Sequence, residues 1–219
     1  MRPAVLYFAN WNLNRRPARK GEVCALPWDC ATYLNHAFWA LEPAEGTHEP
    51  SFARRAGKSL RGRTGVSGHA SSAEQAKKAV QCMLAQGVAT GTICIGSPFY
   101  CTAMRLQEKP ESVQAALGAP VEPERPTWDT LAQEDLLELL QTPGWHSAYD
   151  ARAGGAYLVY DGPDNPFDRW FLSVETARSL GQKLDLIRNA DLAGIIVWEA
   201  SLDTKNHSFA AQLRDTLLK

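Results

Sequence analysis

The stretch "DLAGIIVWEASLD", residues 191–203, decides how this chain is read. A turn-prone "DLAG" leads into the apolar run Ile195-Ile196-Val197-Trp198, which stops at the carboxylate of Glu199. A short apolar run bounded this way reads as a buried parallel strand, and such a strand carries the polar groups after it to the rim of an α/β fold. It needs neighbouring strands on both sides. The chain offers three: "AVLYFANW" (4–11), a run from Tyr33 to Leu41, and "GTICIGSPFY" (91–100).

Helical signals separate the strands. "SSAEQAKKAVQCMLAQGV" (71–88) has a Ser cap, Glu74 in the first turn and apolar Ala76, Ala79, Val80, Met83 and Leu84 at helical spacing, closed by Gly87. "WDTLAQEDLLELLQT" (128–142), "SVETARSLGQKLDLIRNA" (173–190) and "HSFAAQLRDTLLK" (207–219) read as further helices. "WHSAYDARAGGAYLVYD" (145–161) reads as a hairpin with a Gly-Gly turn. Residues 43–72 have little apolar content and no clean period, an unusual length of structureless chain for a compact domain. Strands alternating with helices argue an α/β fold with a parallel sheet.

Composition narrows the function classes. The chain has 219 residues, 45% of them hydrophobic, and a net charge of −1. That suffices for one good-sized domain and lies near the low end for a complete (β/α)8 barrel, roughly 200–400 residues. Near-neutral charge gives no reason to expect nucleic acid or an anionic membrane surface. The basic cluster "RRPARKG" (15–21) reads as a solvated loop. No apolar run approaches the roughly 18 residues that span a bilayer. The N-terminus enters a strand pattern at once, without a signal-peptide core, so the chain as written is expected in the cytoplasm. The cysteines at 24, 30, 82, 94 and 101 show no metal-ligand spacing and read as reduced thiols. Neither a metal nor a cofactor is implied.

Together these segments resemble glycoside hydrolase family 18, the chitinases and their relatives. "VLYFANW" looks like the family's first barrel strand, and "LPWDCATYLNHAFWAL" (26–41) like the segment through its second. "GHASSAEQAKKAVQCMLAQGVATGTICIGSPFY" (68–100) looks like the helix and strand that reach the seventh position. There "GSPFYCTAMR" keeps the family's Pro-Phe-Tyr and loses the Gly-Arg after it. "LSVETARSLGQKLDLIRNADLAGIIVWEASLD" (172–203) looks like the last helix and eighth strand, with its Trp-Glu ending. Residues 101–157 fall where many members carry a small α+β insertion. The resemblance implies a partial TIM-type barrel over 1–100 and 158–219, with retained strands in the order 7-8-1-2.

The same comparison exposes a gap. The family's third to sixth strands, including D-x-x-D-x-D-x-E, should lie between its second and seventh, and the interval from Leu41 to Ser71 is too short for them. No D-x-x-D-x-D-x-E occurs; "DGPDNPFD" (161–168) is studded with Pro, lacks the Glu and reads as a turn. The junction falls near "KSLRGRTGV" (58–66). In the family that Glu protonates the leaving glycosidic oxygen while the substrate's own N-acetyl group attacks, the substrate-assisted exception to the two-carboxylate scheme. By resemblance this is a chitinase-like protein for chitin or N-acetylglucosamine glycans with no catalytic residue left; the alternative is a non-enzymatic, lectin-like oligosaccharide-binding module.

The resemblance also nominates sugar contacts. Tyr7, Phe38 and Trp198 match positions lining the innermost subsite, with Trp198 as the floor under the sugar ring. Trp39, Tyr100 and Glu199 join them at the rim. Flat apolar rings with a few polar groups suit the C–H face of a pyranose. Core packing is the competing reading for Tyr7 and Phe38, and His36 reads as a hydrogen-bonded core histidine. A half-barrel would leave Tyr7, Phe38, Ile196 and Trp198 facing water and its outer strands unpaired, which favours a homodimer through the open face or marginal stability.

Overall fold

The computed structural model describes residues 4–9, 30, 33–37, 65–123, 131–163 and 167–218, with side chains of 5–9 and 33–37 left aside. Four strands form a parallel sheet: β1 (Ala4–Ala9), β2 (Tyr33–Ala37), β3 (Cys94–Pro98) and β8 (Gly194–Trp198). Their order is β2-β1-β8-β3. The opening stretch thus becomes a central strand, with Ala4 opposite Ile195 on one side and Cys94 opposite Gly194 on the other. Ile195 and Val197 are buried, while Ile196, on the opposite face, is 36% exposed. The run is therefore covered on one face only: Ile195 and Val197 pack with Leu180, Leu184 and Ile187 in one hydrophobic cluster.

Those three leucine and isoleucine side chains belong to helix α3 (Ala177–Asn189). Its spacing puts an apolar stripe against the sheet. Thr176 caps it and accepts the Ser179 N–H. Helix α1 (Ala73–Ala85) starts as expected, with Ser72 and Gln75 forming a reciprocal capping box. Its apolar stripe is less well used: Val80 is buried, but Met83 and Leu84 are 45% and 39% exposed. The helix packs against α3, and Ala76, Ala79 and Met83 border an open groove beside β3.

A second, antiparallel sheet has the order β4-β7-β6-β5. Its strands are β4 (Thr102–Arg105), β5 (Trp145–Asp150), β6 (Gly155–Tyr160) and β7 (Trp170–Val174). The expected hairpin is present, with Trp145 opposite Tyr160 and Asp150 opposite Gly155. Asp150 holds the turn by accepting the Arg152 and Ala153 N–H groups at 2.9 and 3.2 Å. Gly154 supplies the left-handed residue the turn needs, at φ +67°.

Strand β7 escapes the sequence reading, and it carries the second sheet past residue 157, the expected end of the insertion. All five of its residues are buried. Trp170, Leu172 and Val174 enter one core and Phe171 another on the opposite face. A strand covered on both faces shows no alternation, so its run merged with the helix signal that follows. The helix expected from 173 accordingly begins at Ala177. Helix α2 (Gln133–Leu139) lies within the expected 128–142 span, and the terminal helix α4 (Ser208–Leu213) runs on into a wider π turn at Arg214–Leu218.

Candidate functional site

All four strands of the parallel sheet run the same way, so Ala9, Ala37, Pro98 and Trp198 end at one rim. Trp198 stands half-buried there, in register with Pro98, and its carbonyl accepts the Phe99 N–H at 2.9 Å. The Trp198–Glu199 peptide is cis. Glu199 is 1% exposed, and Ser201 Oγ donates to its Oε1 at 2.7 Å. Tyr100 is half-buried, bridges to Ala132 and packs against the main core. Tyr7 lies on β1, opposite Asn35 of β2, and His36 lies opposite Phe8. The side chains of Tyr7 and His36 fall outside the described residues, as do Phe38, Trp39, Cys24 and the basic stretch 15–21. Of the other cysteines, Cys82 and Cys94 are free thiols, and Cys30 and Cys101 are buried. Among the described residues no three His, Cys, Asp or Glu side chains are placed to hold a metal ion.

Tyr100 also borders the groove beside β3, a space of about 950 Å³ between that strand, α1 and the loop 66–72. β3 is an edge of its sheet, so the groove runs along an open strand. His69 lines the groove from the loop. Its Nε2 lies 3.3 Å from Asp150 Oδ2, which ties the loop to the β5–β6 hairpin. Burial opposes ionisation of Asp150, but the Ala153 and Arg152 N–H groups and His69 outweigh it and hold the carboxyl below its usual range.

A buried polar cluster behind the rim has no counterpart in the sequence reading. Lys183 is 0% exposed and donates to Glu175 Oε2 at 2.5 Å and to Ser71 Oγ at 2.8 Å. Ser97 of β3 donates to the same carboxylate at 2.6 Å, and Ser179 donates to its other oxygen. The cluster joins β3, the end of β7, α3 and the start of α1. The Lys183–Glu175 pair at its centre is buried and each member is neutralised by the other, so the cluster positions the rim. One signal was available: Lys183 falls on the apolar face of α3, between Leu180 and Ile187. A lysine there requires a buried partner.

Both sheets and the rim now stand beside known proteins. No curated protein matches the sequence. Among solved structures the chain is similar to the multi-modular cell-surface chitinase ChiW of Paenibacillus sp. str. FPU-7, with TM-score 0.61 and 21% identity over 71% of this chain and 18% of that one. A mutant GH18 chitinase from Cycas revoluta, solved in complex with (GlcNAc)4, gives TM-score 0.59 and 17% identity over 69% of this chain and 42% of that one. A family 18 N-acetylglucosaminidase from Paenibacillus barengoltzii gives TM-score 0.59 and 20% identity over 71% and 45%. The chain spans less than half the length of each. At these identities the likeness shows the fold, an α/β TIM-type architecture of which this chain carries a partial sheet. The profile of glycosyl hydrolases family 18 matches residues 58–203, two thirds of the chain. This chain belongs to that family and is chitinase-like.

Proposed function

We propose that this chain is a chitinase-like family 18 domain that lacks the family's catalytic acid and does not hydrolyse glycosidic bonds. The observation that carries the reading is that D-x-x-D-x-D-x-E occurs nowhere in the sequence. β3, β8, β1 and β2 correspond to the barrel's seventh, eighth, first and second strands. Residues 38–64, between β2 and the described loop, leave less room than the roughly 30 residues of a single βαβ unit, so strands three to six are missing. The antiparallel sheet from Thr102 to Val174 is the insertion between the last two barrel strands. Glu199 does not replace the lost acid: a general acid must reach the scissile oxygen, and this carboxylate is buried and bonded by Ser201. Incubation with the tetramer of N-acetylglucosamine, followed by mass spectrometry, tests the reading. No shorter oligomers are expected above the protein-free control; dimer or trimer that accumulates with time overturns it.

A second reading, a non-enzymatic oligosaccharide-binding module, is favoured by Trp198. Its half-buried indole stands at the rim, on the same strand face as the open Ile196. Two solved chitinases with this fold, from Cycas revoluta and tobacco, hold N-acetylglucosamine tetramers. In this reading Trp198 is the platform, Tyr7, Phe38, Trp39 and Tyr100 are the walls, and Glu199 orders the loop behind. The open face that leaves Ile196 exposed is also where two copies would pair.

A further inference from the structure

A cavity of about 520 Å³ lies away from the rim, between α2, the β5–β6 hairpin, the first turn of α3 and the loop 204–209. This size suits a small organic ligand, for which pockets of roughly 300–1,000 Å³ are usual. Leu136, Leu137, Leu140, Leu158, Val174 and Phe209 give it a largely aliphatic wall. Leu137 and Leu140 are 49% and 37% exposed at its mouth, so apolar surface is left open to water there.

Two side chains on the wall carry charge, Glu175 and Arg178. Glu175 is already neutralised by Lys183. Arg178 makes no ion pair among the described residues; its guanidinium lies over the Tyr149 ring, 3.8 Å from the centroid. The Tyr149 hydroxyl is buried and has no hydrogen-bond partner. The first turn of α3, at Ala177 and Arg178, adds the positive end of a thirteen-residue helix to the same wall.

These features select the ligand's chemistry. A sugar needs an open aromatic face, and the three rings here are engaged. Tyr149 is covered by Arg178, Tyr157 stacks on Phe171 at 5.1 Å, and Phe209 meets Phe99 edge-on at 5.3 Å. An aliphatic wall that ends at an arginine without a carboxylate partner among the described residues and at a helix N-terminus fits an anionic head on an apolar tail. We propose that this cavity binds an apolar carboxylate of the medium-chain fatty acid class, its head on Arg178 and the first turn of α3 and its tail along Leu136, Leu137 and Leu140. This inference does not depend on the glycan reading.

Calorimetric titration of the folded chain with decanoate, below the concentration at which it forms micelles, tests it, with decanol as the uncharged comparator. Saturable decanoate binding is expected, with decanol at least tenfold weaker. Arg178→Gln lies at an exposed position and should leave the fold intact. It should weaken decanoate by about tenfold, the scale of one charge-assisted hydrogen bond, and leave decanol unchanged. No saturable heat from a chain folded by circular dichroism, equal affinity for the two ligands, or no effect of Arg178→Gln would each overturn the proposal.

Discussion

Asp203 ends the stretch that opens the sequence, and it is 2% exposed. Its Oδ1 accepts the Thr204 and Phe209 N–H groups, and its Oδ2 accepts that of Ala210. Burial nonetheless pushes its carboxyl above the ordinary aspartate range, against those three donors. The native chain therefore holds this proton more tightly than the unfolded chain. Its contribution to stability is present below the unfolded value, about 3.9, and is lost as pH rises through the raised native value. Asp203→Asn should remove that slope, read by urea unfolding from the acid range to neutral. Because it sets an amide –NH2 against a backbone N–H, it should also cost about 1–3 kcal/mol at neutral pH. Lys183 gives a larger effect. Lys183→Met leaves Glu175 buried beside two hydroxyls without its cation, and should cost about 3–5 kcal/mol in the same assay. A loss below 1 kcal/mol would show that the pair does not hold the rim together.

At the scale of elements, two devices join the sheets. The turn after β5 docks on the start of α1, where Gly154 and Ala153 carbonyls accept the Ala73 and Glu74 N–H groups. His69 packs against Gly155, where an added Cβ would come within 2.5 Å of the imidazole. Gly155→Ala should therefore push the His69 ring off the hairpin and cost about 1–3 kcal/mol by overpacking, with a lower thermal midpoint as the readout. The hairpin itself was legible, because Tyr149 and Asp150 lead into a glycine-bearing turn and an apolar return strand. Helix α1 was legible through Ser72. β7 was not, since Trp170, Phe171 and Leu172 point into two different cores and erase the alternation. The polar cluster was not, because Ser71 and Ser97 lie far in sequence from Glu175 and Lys183 and meet them only through the fold.

For the whole molecule, one group of open features falls around the parallel sheet. β3 is an edge strand, Ile196 is uncovered, and Met83 lines the groove along β3. Unpaired edges and contiguous apolar surface drive association. Sedimentation should show a concentration-dependent dimer, and Ile196→Lys on the open face should weaken it; a monomer at all concentrations would count against pairing through this face. The rim was legible in part: Trp198 ends β8 and Tyr100 follows β3 at the same end of the sheet, as the apolar runs before them imply. The burial of Glu199 was not legible, because it depends on Ser201 and the loop beyond. The measurement that tests the central claim most directly is a calorimetric titration of the chain with the N-acetylglucosamine tetramer. The account predicts heat that saturates and then stops, lost in Trp198→Ala. Heat that continues after saturation would mean turnover and contradict the loss of catalysis; no heat from a folded chain would contradict the binding site at the rim.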